Sequence, residues 1–211
     1  MALPNRGKYL GFIAHEIKNP LATALWSCDL LKRMDGTDRA GERAEKMLDV
    51  SLRSLRRMRR LIDDFFTIER LLEHGYELRR ERLPLRTLAD AALQMLVEKD
   101  GMNVQGWSLE FDASEVTGDG ELLKRAVRAL LEHLARSAAQ TKLSLTGRES
   151  GLFVRPEAPA APLVPPVPEE RPAGDPTGSV LGYALAERIL AAHGGRIEER
   201  DGGLLVTFTA S

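Results

Sequence analysis

The sequence predicts a long helical hairpin that pairs with a second copy into a dimeric four-helix bundle, followed by a separate α+β domain. Three observations predict it. Apolar residues recur at three- and four-residue steps over two long stretches, about Arg6–Met34 and Arg39–Leu72, with only the turn Asp35-Gly36-Thr37-Asp38 between them. After His74-Gly75 the pattern changes to short strand-like runs alternating with helical ones. The 211 residues, 43% of them hydrophobic, suffice for one ordinary domain or two small ones.

In the first helix Leu10, Ile13, Ile17, Leu21, Leu25 and Leu31 form the stripe, and Pro20 inside it is expected to bend the helix rather than end it. The stripe of the second is Met47, Ser51, Leu55, Met58, Ile62, Phe65 and Leu72. Two helices of this length cannot cover both their apolar faces by themselves, so pairing into a homodimer is the expected solution. Arg53, Arg56, Arg57, Arg59 and Arg60 crowd the second helix. They read either as a solvated face interleaved with acids or as a docking strip for an acidic partner.

Beyond residue 75 the expected elements are a strand over Tyr76–Leu83, a helix over Arg86–Lys99 opened near Pro84, and a strand over Trp107–Phe111. Gly118-Asp119-Gly120 then starts a helix reaching about Gln140, followed by strands at Lys142–Thr146 and Gly151–Arg155. Between Pro156 and Pro176 stand eight of the chain's eleven prolines, which cannot sustain a helix or a central strand, so residues 156–176 read as a loop. A helix over Gly178–His193, a strand over Arg196–Arg200 and a strand over Leu204–Thr209 close the domain. The domain limits are therefore 1–75 and 76–211.

The 30 basic and 31 acidic side chains nearly cancel, which argues against a nucleic-acid partner and leaves electrostatic recognition to local patches. No apolar run reaches the roughly eighteen residues that span a bilayer, and Met1–Lys8 carries no apolar segment of a leader. The single cysteine, Cys28, cannot form an internal disulfide; it reads as a small buried hydrophobe in a reducing cytoplasm. His133 and His193 have no acidic or thiol cluster at ligand spacing, so no metal is expected; His133 reads as helix surface or packing, and His74 and His193, each before a glycine, as helix caps.

The most specific segment is His15-Glu16-Ile17-Lys18-Asn19-Pro20-Leu21. Imidazole is a nucleophile near neutral pH, and an adjacent carboxylate can hold its tautomer and accept its proton. Such a nucleophile must face solvent so that a phosphoryl donor can approach in line. The segment resembles the phosphoacceptor box of sensor histidine kinases. The resemblance implies that His15 is the phosphoacceptor, that Glu16 is its base or orienting group, and that Asn19, one turn on, positions water for dephosphorylation of a response regulator. It extends over nearly the whole chain, since Val116-Thr117-Gly118-Asp119 and the helix after it, with Ala192-His193-Gly194-Gly195-Arg196-Ile197, look like parts of that family's ATP-binding domain. An α+β sandwich of the histidine kinase ATPase type is the fold this implies.

Against that scaffold the departures are informative. The family's asparagines that hold magnesium and triphosphate correspond here to Ala129 and His133, and neither offers an amide oxygen to a hard cation. Where an Asp and two glycines cradle adenine, the sequence has Pro156, Ala158 and Ala160, and Val180 replaces the middle glycine of the last glycine motif. Arg136, at a position of a phosphate-contacting cation, reads as a surface charge. The resemblance thus implies a degenerate nucleotide site with no cofactor. The function it points to is a histidine phosphotransferase of a phosphorelay, carrying a phosphoryl group on His15 between response regulators. A pseudokinase that binds and regulates a response regulator or a kinase, an autokinase with an unorthodox ATP site, and a purely structural dimer are the alternatives.

Overall fold

The computed structural model describes residues 6–36, 38–72, 76–137, 142–149, 151–158, 163–164 and 179–208, with side chains for all of these but 6–12, 15, 40, 137, 179 and 180. The chain divides into two compact units, Met1–Phe66 and Thr67–Ser211.

The first unit is a helical hairpin. Helix α1 runs over Arg6–Arg33 and continues through Pro20; a single 3-10 turn, Asp38–Ala40, leads into α2, Glu42–Leu72. Lys32 and Arg33 in the last turn of α1 and Glu42 and Glu45 in the first turn of α2 both oppose the local end of the helix dipole favourably. The Arg39 guanidinium donates to the Lys32 carbonyl at 2.8 Å, closing the turn.

The buried positions differ from the expected stripe. On α1 they are Ile13, Glu16, Pro20, Ala24 and Ser27, and on α2 Ala44, Ser51, Met58, Leu61 and Asp64, with Thr67 and Ile68 beyond the limit of the unit. The seam is made of small groups: Ser51 Oγ lies 3.5 Å from Cys28 Sγ and 3.5 Å from the Ala24 carbonyl. Most of the larger apolar residues point away. Leu21, Leu25, Trp26, Leu48, Leu52, Leu55 and Ile62 remain 40% to 62% exposed in the single chain. The sequence stripe therefore mixes two faces, one that closes the hairpin and one that it leaves open. Cys28, expected to be buried, is exposed, because it continues the open Ile17–Leu21–Leu25 side of α1.

The second unit is a two-layer α/β sandwich. Its sheet has the order β2-β4-β5-β7-β6, with β2 (Ser108–Phe111) parallel to β4 (Leu143–Arg148) and every other neighbour antiparallel. The remaining strands of this sheet are β5 (Gly151–Pro156), β6 (Arg196–Arg200) and β7 (Gly203–Thr207). A two-stranded antiparallel pair joins β1 (Glu81–Pro84) to β3 (Glu115–Gly118), the latter unforeseen as a strand.

Alternation sends Leu143, Leu145, Leu152, Val154, Leu204 and Val206 to one face, where they meet α3 (Leu85–Asp100), α4 (Gly120–Ser137) and α5 (Ser179–Ala192). Helix α3 presents Leu85, Leu88, Ala89, Ala92 and Leu96 at helical spacing and stops at Gly101, whose φ of 64° lets its amide and that of Met102 return to the last carbonyls. The hairpin between β6 and β7 falls where Asp201-Gly202-Gly203 predicted it.

Candidate functional site

His15 lies in the middle of α1, flanked by Ile13 and Glu16, both buried. The orientation of its side chain, expected toward solvent, lies outside the described residues. Glu16 shares the face of Ile13, Pro20 and Ala24, whereas Asn19 is exposed and its carbonyl accepts the Thr23 hydroxyl at 3.1 Å. Pro20 supplies no amide proton, so the helix at this point is short of one backbone donor. Of the arginines, Arg53, Arg56 and Arg59 are exposed and Arg57 and Arg60 half-buried; Arg59 pairs with Asp63 at 3.8 Å.

In the second unit, Ala129 and His133 face inward from α4, one turn apart, and both are buried. Ala129 packs against Gly182 of α5, where an added Cβ would meet the Ala129 Cβ at ordinary van der Waals distance, 3.6 Å. The His133 ring lies 5.3 Å from the Tyr183 ring, and its Nε2 donates to the Leu163 carbonyl at 2.7 Å. Leu163 is itself buried. Burial, and after it the Glu187 and Glu199 carboxylates, push the Tyr183 phenol up to about 12, so it stays protonated. Pro156 ends β5 opposite Leu143, buried on the helix-facing side of the sheet, and Ala158 follows it exposed. Ala160 lies outside the described residues, as does the side chain of Val180 in the first turn of α5.

The mouth of α4 is held by a junction. Asp119 caps the helix, its Oδ1 accepting the Leu122 amide at 3.2 Å and its Oδ2 the Arg79 amide at 3.3 Å. Its own amide donates to His193 Nε2 at 2.9 Å, while His193 Nδ1 donates to the Ile189 carbonyl at 2.6 Å. Both ring nitrogens are thereby assigned, and the ring is neutral. Burial, with the Arg80 charge, lowers its pKa below the ordinary 6.5, more than the Ile189 carbonyl and Asp119 raise it. Among the described residues no group of three or more His, Cys, Asp or Glu is placed to hold a metal ion.

Residues 5–73 match the His Kinase A (phospho-acceptor) domain. The chain is 25% identical over 213 residues to the sensor protein VanS of Enterococcus faecium, covering 93% of this chain and 54% of VanS. It is also 25% identical over 203 residues to the sensor protein KdpD of Escherichia coli, covering 91% of this chain and 22% of KdpD. Residues 5–73 thus carry the phospho-acceptor domain of histidine kinases, and the chain as a whole is similar to sensor proteins of that kind. It spans about half the length of one of these curated relatives and about a fifth of the other. Its fold agrees: the structure of the Acinetobacter baumannii histidine kinase AdeS matches with a TM-score of 0.61 at 14% identity over 92% of this chain and 97% of that one. Full-length ShkA in complex with AMPPNP matches with a TM-score of 0.52 at 16% identity, over 96% of this chain and 46% of that one.

The structure brings together residues that the sequence left apart. Leu163 and Tyr183 were not foreseen beside His133, because neither periodicity nor spacing connects a proline-rich segment to a helix 30 residues earlier. Arg136, read as a surface charge, is half-buried and pairs with Glu132 at 2.9 Å; Glu132 also lies 3.3 Å from Arg128. Arg128 in turn meets Asp100 at the end of α3 at 2.9 Å, with both side chains almost fully buried. His133 resolves to packing rather than surface. His193 does cap α5, its amide returning to the Ile189 and Leu190 carbonyls, and its ring also reaches Asp119; His74 lies outside the described residues. No helix among the described residues is long and apolar enough to cross a membrane.

Proposed function

We propose that this protein is a histidine phosphotransferase of a two-component phosphorelay, acting as a cytoplasmic homodimer through residues 1–75, with residues 76–211 a degenerate ATP-binding-type domain. His15 attacks the phosphorus of an aspartyl phosphate on one response regulator's receiver domain. An N–P bond forms, the O–P bond breaks, the carboxylate leaves, and Glu16 takes or orients the imidazole proton. A second receiver domain reverses the step. Arg53, Arg56, Arg57 and Arg60 are the proposed docking strip, matching the acidic pocket that a receiver domain presents.

The observation that carries this reading is the contrast between an intact His15–Glu16–Asn19–Pro20 box and the environment of Ala129, His133 and Pro156. A magnesium-bound triphosphate needs oxygen ligands. Ala129 has none and packs against Gly182, His133 spends a ring nitrogen on the Leu163 carbonyl, and Pro156 is a buried ring without a carboxylate. These residues do not fit the nucleotide. A relay needs none, since the receiver domain brings its own metal and acids.

The test is labelling from radiolabelled magnesium-ATP and, separately, from phosphorylated receiver domains, comparing wild type with His15→Ala. Label from the receiver alone, lost in the variant, is the expected result. Label from ATP overturns it in favour of an autokinase. A second reading rests on the exposed Asn19 side chain, one turn from His15: a pseudokinase that binds a regulator or a kinase and promotes dephosphorylation. It predicts activity that survives His15→Ala and is lost in Asn19→Ala.

A further inference from the structure

The five-stranded sheet carries a depression of about 570 Å³, a volume in the range of small-molecule sites, away from Ala129 and His133 on α4. Its floor is β4 and β5. Strand alternation turns the buried Leu143 and Pro156 toward the helices, and Lys142, Ser144, Arg155 and Glu157 toward the face that the helices leave bare. The ladder runs one pair beyond the two strands, the Glu157 amide donating to the Lys142 carbonyl at 2.8 Å. Ser108 of β2 stands opposite Ser144 in register, and the Ser144 hydroxyl donates to the carbonyl of its other neighbour, Arg155, at 3.3 Å. Gly106 before β2 walls one side and the β6–β7 turn, at Asp201 and Gly202, the other. Two strands lie between β2 and β7, so these walls are roughly 14 Å apart at the usual strand spacing.

The charges around the depression are sorted by sign. The Lys142 stem extends toward the β2 side and lies over Gly106, where a Cβ would meet its Cδ at 3.2 Å and its Cε at 2.9 Å and where a φ of 84° favours glycine. Arg155 and Glu157 flank Pro156 on the β5 side. Opposite charges on neighbouring strands ordinarily pair. Asp201 does so with Arg200 at 3.3 Å, but among the described residues Lys142, Arg155 and Glu157 form no ion pair. Two cations and one carboxylate thus stand open around two hydroxyls. Glu157 repels a bare anion and the two cations repel a bare cation, whereas a molecule bearing both signs satisfies all three.

We propose that this depression binds a small zwitterion of amino-acid or dipeptide size: Arg155, with its planar fork of donors, and Lys142 take the carboxylate, Glu157 takes the ammonium, and the Ser108 and Ser144 hydroxyls bond the polar atoms between them. The site lies wholly within the second unit and depends neither on His15 nor on whether the domain takes nucleotide.

Amide chemical shifts of the isotope-labelled full-length chain, titrated with alanine and with alanyl-alanine, test it. At least one of the two should give saturable shifts in residues 106–108, 142–144 and 155–157, with a Kd of about 1 mM or below. The N-acetylated form of that compound, which lacks the ammonium, and its C-terminal amide, which lacks the carboxylate, should each bind at least about tenfold more weakly. Lys142→Gln with Arg155→Gln should weaken the parent compound by at least about tenfold, and Glu157→Gln should remove its advantage over the N-acetylated form. All three side chains are exposed, so these variants keep the fold, checked by unchanged shifts in the rest of the second unit. No saturable shift in these segments up to tens of millimolar overturns the zwitterion site. So does equal binding of the free and blocked compounds, or binding unchanged in the double variant.

Discussion

The two units solve the problem of their apolar surface in opposite ways. In the hairpin the buried seam mixes Ala24, Ser27, Ala44 and Ser51 with only Ile13, Met58 and Leu61 among larger apolar residues, while Leu25, Trp26, Leu48, Leu52 and Leu55 are left outside. In the sandwich the large side chains are inside, with Leu123, Leu130, Leu131, Leu145 and Leu185 essentially inaccessible. Burial of a leucine is worth about 2 kcal/mol, so the open leucines on each hairpin represent a large unspent driving force. The hairpin leaves an apolar face open within one chain, which the proposed dimer would cover; the sandwich buries its core within one chain.

The sharpest way to break this contrast is to charge the open face. Leu52→Glu together with Leu55→Glu should convert the proposed dimer into a monomer at micromolar concentration, read by sedimentation equilibrium, because a carboxylate cannot be buried unpaired. A variant that stays dimeric would mean that this face is not the seam. Within the sandwich, Arg128→Ala leaves the Asp100 carboxylate without its cation in an almost fully buried position. Urea unfolding should show a loss of about 3–5 kcal/mol, with much of it recovered when Asp100→Leu is added to Arg128→Met.

A smaller effect comes from the α4 junction. The His193 ring is neutral when folded and its pKa is lowered by burial, so below 6.5 the unfolded chain binds more protons than the folded one. Stability contributed by this ring is complete above 6.5 and is lost as pH falls from there through the lowered folded value, with a slope of at most about 1.4 kcal/mol per pH unit. His193→Ala should cost about 2–3 kcal/mol at pH 8 by leaving the Asp119 amide without its acceptor and opening a cavity. Its deficit relative to wild type should shrink on acidification, measured by urea melts across pH 5 to 8. Smallest for stability is the arginine strip: Arg53→Glu with Arg56→Glu should change it by no more than about 0.5 kcal/mol. The same pair should slow association with a receiver domain by about tenfold at low ionic strength, an effect that fades as salt is raised.

Much of this architecture was legible in the sequence, for reasons that can be named. Helix periodicity placed α1, α2, α4 and α5 to within a few residues, and β6 was placed residue for residue, because alternation and flanking glycines are local signals. Strand β3 was missed: Glu115–Gly118 is four residues long and owes its extended state to pairing with β1, which no local pattern reports. The first strand was expected from Tyr76 but begins at Glu81, since only there does a partner stand opposite. For the same reason the stripe on α2 failed to separate Met58, which is buried, from Leu55, which is exposed: both are apolar, and which neighbour each meets is a tertiary fact. At the candidate site the residue types of the histidine box and of positions 129, 133 and 156 were readable directly. Gly182 and Tyr183 belong to the glycine motif that the resemblance sets in the same site, whereas Leu163 was not readable, because long-range contacts leave no periodic trace.

Strand β6 has one further consequence. It forms an edge of the five-stranded sheet, and four of its five side chains, Arg196, Glu198, Glu199 and Arg200, are exposed and charged, with Arg196 bound to Glu198 at 2.6 Å and Arg200 to Asp201 at 3.3 Å. A bare strand edge is a template on which another chain can add a strand, and a row of tethered charges makes that addition unfavourable. This edge of the sheet thereby disfavours strand addition by a neighbouring molecule, so association through it is directed away from fibril-like stacking.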